Sequence, residues 1–184
     1  MGSASAARSF LGGYVSLVPP DWRAQPVAAR DHWPLAVVIA VTSEQIKAVS
    51  STEGMKISRD TSPLYKTWLE GSSEDYAEAN DAIAARDFEK LTQVAELNCL
   101  KMHSVMLTSV PTLSYWNPTT IAVMDIVRGL RAEGTPVFFT IDAGPQVKAV
   151  CPPEHADTVA HAFSQIDGVI QTVQCGLGPG AYIK

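Results

Sequence analysis

Asp142 lies in the run Thr140–Ile141–Asp142–Ala143–Gly144–Pro145, where a carboxylate follows an apolar stretch and precedes a glycine–proline turn. A strand ending at Ile141 would place Asp142 at a buried edge, and Gly144 lets the backbone turn tightly or approach a ligand closely. A carboxylate held there can serve as a general base where its geometry and pKa suit. The same Asp-x-Gly pattern fits an aspartate whose side chain only caps its own turn. Local sequence leaves both readings open.

Gly2–Ser9 is a second candidate. On a helix, Ser5, Arg8 and Ser9 share one face at spacings of three and four. A helix start with exposed amides, hydroxyls and a guanidinium is a phosphate receptor; a small-residue helix packed closely on a neighbour, with Arg8 in solvent, is the other reading. Ser50–Ser51–Thr52 offers hydroxyls after an apolar run, either for a ligand or as an ordinary polar loop. Gly176–Leu177–Gly178–Pro179–Gly180 lacks the Lys and Ser/Thr that follow a phosphate loop, so a terminal turn fits it better. Cys99 and His103, four apart, have the spacing of half a metal site, but no second pair stands near His32, His155 or His161 at a zinc-like spacing. A core histidine and no metal are expected.

These groups need elements to hold them. Ser3–Leu11 reads as a short helix stopped by Gly12–Gly13. Tyr14–Val18 reads as a strand, Pro19–Pro34 as a loop, Leu35–Val41 as a buried strand and Thr42–Asp60 as a polar stretch. Thr61/Ser62–Pro63 has the form of a helix cap opening Leu64–Glu70, and Glu74–Ala85 and Asp87–Met106 carry apolar residues at helical spacing. Thr119–Glu133 is a further helix stopped by Gly134. Pro136–Ile141 is a strand with Val147–Cys151 as its antiparallel return, Glu154–Ile166 an amphipathic helix, and Val169–Gln174 a last strand. Strands and helices interleave without repeated βαβ units. That predicts an α+β fold, a mostly antiparallel sheet with helices packed on one face.

At 184 residues the chain suits one domain, or one and a fraction, and can bury about 70% of its unfolded surface. Its net charge of −5 supplies no basic field for nucleic acid, although a few local Arg or Lys groups suffice for a phosphorylated ligand. Three scattered cysteines form no CxxC pair or disulfide framework, which points to a reducing compartment. No run approaches the roughly 18 apolar residues of a membrane helix. The start has no signal-peptide pattern, and Ala6 stands where a myristoylation signal wants Ser or Thr. A cytoplasmic, soluble protein is expected.

Taken in order, several motifs resemble the C-terminal portion of the diphosphomevalonate decarboxylases, in the superfamily of galactokinase, homoserine kinase, mevalonate kinase and phosphomevalonate kinase. They are Gly2–Ser9 with Gly12–Gly13; Ser51–Thr52–Glu53–Gly54–Met55 with Thr61–Ser62; Asn98, His103 and Tyr115–Trp116–Asn117; Phe139–Pro145; and Gly178–Pro179–Gly180. The resemblance implies ATP-dependent conversion of mevalonate 5-diphosphate to isopentenyl diphosphate, with phosphate and carbon dioxide leaving. It puts Asp142 beside the substrate 3-hydroxyl as base or orienting group, Arg8 with Ser5 at the diphosphate, and Thr52 in the pocket wall. It also implies ATP with Mg2+, bound mainly by an N-terminal half, and a homodimer. Ala7 departs from the Ser or Cys often found before the arginine, at the cost of one hydroxyl contact. Neither the family's glycine- and serine-rich nucleotide loop nor its early Tyr/Lys motif is found in the 184 residues. Residues 1–184 are therefore expected to form the C-terminal domain, with 1–18 a remnant of the N-terminal one, and to be inactive alone. A phosphomevalonate decarboxylase, a related small-molecule kinase and a non-catalytic scaffold remain as alternatives.

Overall fold

The computed structural model describes residues 8–19 and 22–181. Its centre is β3 (Ala36–Val41), whose Ala36, Val38 and Ala40 are buried while Val37, Ile39 and Val41 are half-buried. That alternation is the period of a strand with one face on a core. With β4 (Phe138–Ile141), β5 (Val147–Cys151) and β6 (Gln171–Gly176) it forms a four-stranded sheet in the order β4-β5-β3-β6. Every pairing in it is antiparallel. The α+β expectation holds.

Five helices are described: α1 (Ser51–Thr61), α2 (Tyr65–Ala85), α3 (Phe88–Leu107), α4 (Pro118–Ala132) and α5 (Ala156–Ser164). Val123 and Val127 of α4, Val159 and Phe163 of α5, and Cys99 of α3 pack with Val38, Ala40, Phe139, Ile141, Val147 and Ala149 of the sheet in the main core. Leu91 and Val94 of α3 join Ala82 of α2, Leu35 and Phe138 in a second cluster. Phe138 and Phe139 point to opposite faces of β4. Since α3 feeds both clusters, it lies along the open edge of that strand.

Four expectations about elements need correction. Pro19–Pro34 is not all loop: β1 (Tyr14–Val18) pairs antiparallel with β2 (Arg23–Ala28), and Pro26 is tolerated because a two-stranded ribbon consists of edges. The polar stretch Thr42–Asp60 contains most of α1, which starts at Ser50, whose hydroxyl accepts from the Glu53 N–H at 3.1 Å. Ser50-x-x-Glu53 is a helix-start pattern that the surrounding polar residues obscure. Ser62 instead ends α1, and the two segments expected over 64–85 are one helix running through Gly71.

Gly12–Gly13 and Gly178–Pro179–Gly180 meet each other. Gly13 N–H donates to the Gly178 carbonyl at 3.0 Å and Ala181 N–H to the Phe10 carbonyl at 3.0 Å. A Cβ on Gly12 would strike the Pro179 and Gly180 backbone. The helix expected over Ser3–Leu11 lies mostly outside the described residues, with Arg8 and Ser9 helical at its described end.

Candidate active site

Asp142 follows β4 and opens a five-residue connection whose first bond runs from Gly144 N–H to the Asp142 carbonyl at 2.7 Å. Its side chain is 82% exposed and not at a buried edge, because β4 ends at Ile141 and the turn carries the next residue out of the sheet. Lys148 of β5, opposite Thr140, brings its ammonium to 2.7 Å from Asp142 Oδ2. So exposed a pair adds little stability. Its effect is to hold the carboxylate in one direction.

The rest of the turn is tied to the sheet and to α4. Thr120 Oγ1 and Thr42 Oγ1 both donate to the Pro145 carbonyl, at 2.8 and 3.0 Å. Gln146 accepts from Thr42 N–H at 2.7 Å and donates to the Ser43 carbonyl at 2.6 Å. Asn117 caps α4 by accepting from Thr120 N–H at 2.7 Å and reaches Thr42 Oγ1 at 3.1 Å with its amide. One side chain thus starts a helix and joins the turn's support.

Behind Asp142, α3 satisfies the open edge of β4. Glu96, Cys99 and His103 follow one another at spacings of three and four, so they share a face. Glu96 accepts from Phe139 N–H at 3.1 Å, Cys99 Sγ from Ile141 N–H at 3.2 Å, and His103 Nε2 lies 3.1 Å from the Ile141 carbonyl. Since the carbonyl accepts, the imidazole proton sits on Nε2. Trp116 packs against the ring, tilted by 41° at 4.6 Å between centroids. The Cys99–His103 pair is therefore a backbone clamp on one residue, and the described residues hold no group of three potential metal ligands.

His103 is 3% exposed. Burial lowers its pKa, outweighing the Ile141 carbonyl and the Asp142 charge, which raise it. In the unfolded chain the imidazole titrates near 6.5, so below that pH the unfolded state binds the extra proton first. The stability His103 contributes is complete above about pH 6.5 and is lost as pH falls towards the lower folded value. Urea melts between pH 7.5 and 5.5 should show stability declining by up to about 1.4 kcal/mol per pH unit from this group. His103→Gln should flatten the decline, and equal slopes would refute the assignment.

Lys47 was missed by sequence reasoning. It lies in an irregular segment, so spacing gives no pointer to it. Its Nζ donates to the Ala143 carbonyl at 2.8 Å and to Ser51 Oγ at 2.9 Å, bridging the Asp142 turn to the start of α1. It also stands 5.8 Å from the centre of the Tyr115 ring. Two of its three N–H groups are engaged by these bonds, leaving one for a ligand. Thr52 is exposed in the first turn of α1, where backbone N–H groups lack helical partners and favour an anion. Lys47, Tyr115, Asn117 and Pro145 line a cavity of about 450 Å³ beside the turn. Gly54 is matched to it, since a Cβ there would collide with the Tyr115 hydroxyl.

Arg8 stands apart. It lines a different cavity, of about 540 Å³, with Gly178, Pro179 and Gly180. Register puts the two regions towards opposite ends of β3: Gly176 pairs with Ala36, whereas Val147, the partner of Ile141, pairs with Ala40. Ser5 lies outside the described residues. Asn98 is also away from the turn, donating to Asp75 at 2.9 Å beside Lys101 at 2.7 Å. Burial alone would raise the Asp75 pKa, but these partners outweigh it and hold the carboxyl below its usual range.

Residues 37–176 match the profile of the mevalonate 5-diphosphate decarboxylase C-terminal domain. The chain belongs to this family. The match takes in the four-stranded sheet and its helices and leaves β1 and β2 outside. Human diphosphomevalonate decarboxylase is 34% identical over 159 residues, covering 78% of this chain and 38% of its own length. A solved mevalonate diphosphate decarboxylase from Enterococcus faecalis superposes with a TM-score of 0.83 at 33% identity, over 96% of this chain and 55% of that one. The structure of MDDEF in complex with MVAPP, AMPPCP and magnesium superposes with a TM-score of 0.86 at 34% identity, over 96% and 55% of the two chains. The chain spans about half the length of the relatives it matches. No helix among its described residues is long and apolar enough to cross a membrane.

Proposed function

We propose that residues 1–184 are the C-terminal portion of an ATP-dependent decarboxylase that converts mevalonate 5-diphosphate to isopentenyl diphosphate, in the cytoplasm and as a homodimer. The carrying observation is the Asp142 turn, held by Lys148, Lys47, Thr42 and Thr120 within a domain of this family. Residues 1–18 are assigned to the neighbouring N-terminal unit, in keeping with a family match that begins at residue 37.

Asp142 faces the substrate 3-hydroxyl, orients it, and stabilises the positive charge left at that carbon as the oxygen departs. Lys148 fixes the carboxylate. Lys47 lines the cavity beside the turn, and its remaining N–H suits a phosphate oxygen; Thr52, exposed in the first turn of α1, is assigned to the approach by the motif it shares with the family. Arg8 and Ser5 take the diphosphate, an assignment that rests on the motif they share with the family. ATP, when bound, supplies the phosphoryl group that turns the hydroxyl into a leaving group. Magnesium, when bound with ATP, would be held mainly by the N-terminal half.

Product analysis tests the proposal. A chain that extends residues 1–184 to the relatives' full length should release carbon dioxide and phosphate in equal amounts from the diphosphate substrate. The 184 residues alone should release neither. ADP formed with the phosphoryl group retained on the product, and neither free phosphate nor carbon dioxide, would indicate a kinase, and preference for the monophosphate would indicate the related decarboxylase. ATP-dependent carbon dioxide release by the isolated 184 residues would overturn the division of labour.

A further inference from the structure

Two side chains buried behind the catalytic turn reach neither solvent nor the cavity, and they converge on one residue. Cys99 and His103 are 4% and 3% exposed and sit one helical turn apart on α3. Both address Ile141, the residue immediately before Asp142: its N–H donates to Cys99 Sγ at 3.2 Å, and its carbonyl accepts from His103 Nε2 at 3.1 Å. The thiol also lies 3.5 Å from that carbonyl. Ile141 belongs to the outer strand of the sheet, so no neighbouring strand is available to these groups. A plain edge strand would leave them to water or to exchange among partners.

The Ile141 carbonyl belongs to the peptide that carries the Asp142 N–H. Fixing it fixes the plane of that peptide and the position of the Asp142 Cα at its end, and the bond from Gly144 N–H to the Asp142 carbonyl at 2.7 Å restrains the turn that follows. Trp116 packs against the His103 ring, tilted by 41° at 4.6 Å between centroids, and occupies the space on that side of it. Asp142 itself is exposed, so packing around its own side chain cannot perform this service.

We infer that Cys99 and His103 are positioning residues for the decarboxylation, aiming Asp142 by clamping the backbone of Ile141. The inference rests on the role proposed for Asp142. It assigns the rate, not substrate affinity, to two side chains that never touch substrate. A displacement of about 1 Å at a reacting group can cost on the order of 10²-fold in rate, which sets the scale.

The test is a double-mutant cycle in a chain extended to the relatives' full length, with mevalonate diphosphate as substrate. His103→Leu should lower kcat about 10- to 100-fold with KM within about twofold. His103→Gln keeps an N–H donor and should recover most of the loss; Cys99→Ser should likewise outperform Cys99→Ala. In an Asp142→Asn background, His103→Leu should have almost no further effect on kcat, because there is no longer a carboxylate to aim. An equal fall in both backgrounds would show a general structural role and overturn the inference, as would an unchanged kcat in the single variant. Should Asp142→Asn itself leave kcat intact, the role of Asp142 fails first, a result distinguishable from failure of the clamp.

Discussion

Asp142→Asn, in a chain extended to the relatives' full length, is expected to lower kcat by about 10²–10⁴-fold, the range for losing a positioned acid–base or charge-stabilising group. Stability should move by no more than about 0.5 kcal/mol, because the side chain is exposed and its one ion pair, with Lys148, is at the surface. The contrast between the two readouts is the point. An aspartate that only caps its own turn would show the reverse, a stability loss with activity kept. Steady-state kinetics and urea melts on one preparation decide between them, and a fall in kcat below threefold would favour the cap. KM should rise little, since the lost interaction is realised mainly as charge develops on the substrate.

Phe139→Ala should have the largest effect on stability. Phe139 is 0% exposed, at the centre of the core formed by α4, α5 and the sheet, with the Arg128 guanidinium 5.3 Å from its ring centre. Truncating a buried phenylalanine costs about 3–5 kcal/mol, a large share of the roughly 5–15 kcal/mol that holds a domain together. The Glu96 bond to the Phe139 N–H uses backbone and would survive the change. Urea denaturation should show a lower midpoint at unchanged slope. A loss below about 1 kcal/mol would mean that the site refills or that the ring is not in the core.

These two substitutions lie three residues apart and separate what the sequence can state alone from what it cannot. The apolar run at β3, the β4–turn–β5 hairpin and the helix ended by Gly134 were all legible, because each depends on a period or a turn residue within a dozen positions. The Asp142 segment and the Ser51–Met55, Tyr115–Asn117 and Gly178–Gly180 motifs were legible for a different reason: they are short runs whose residue types a family shares. Where local signals conflicted, reading failed. Pro26 masked β2, and polar residues masked the start of α1.

Only the tertiary structure decided what surrounds Asp142. The bonds that hold its turn join residues far apart in the chain: Lys47 to Ala143 across 96 positions, Thr42 to Pro145 across 103, and His103 to Ile141 across 38. No period links such pairs: the first two form where the segment after β3 meets the β4–β5 turn, and the third because α3 settled along the outer edge of β4. That packing turned Cys99 and His103 from half of a possible metal site into a clamp on one residue. The end of β4 at Ile141 exposed the carboxylate that the strand pattern had placed at a buried edge. The sequence alone determined that a carboxylate, a glycine and a proline follow an apolar strand; where that carboxylate points was left to contacts between distant elements.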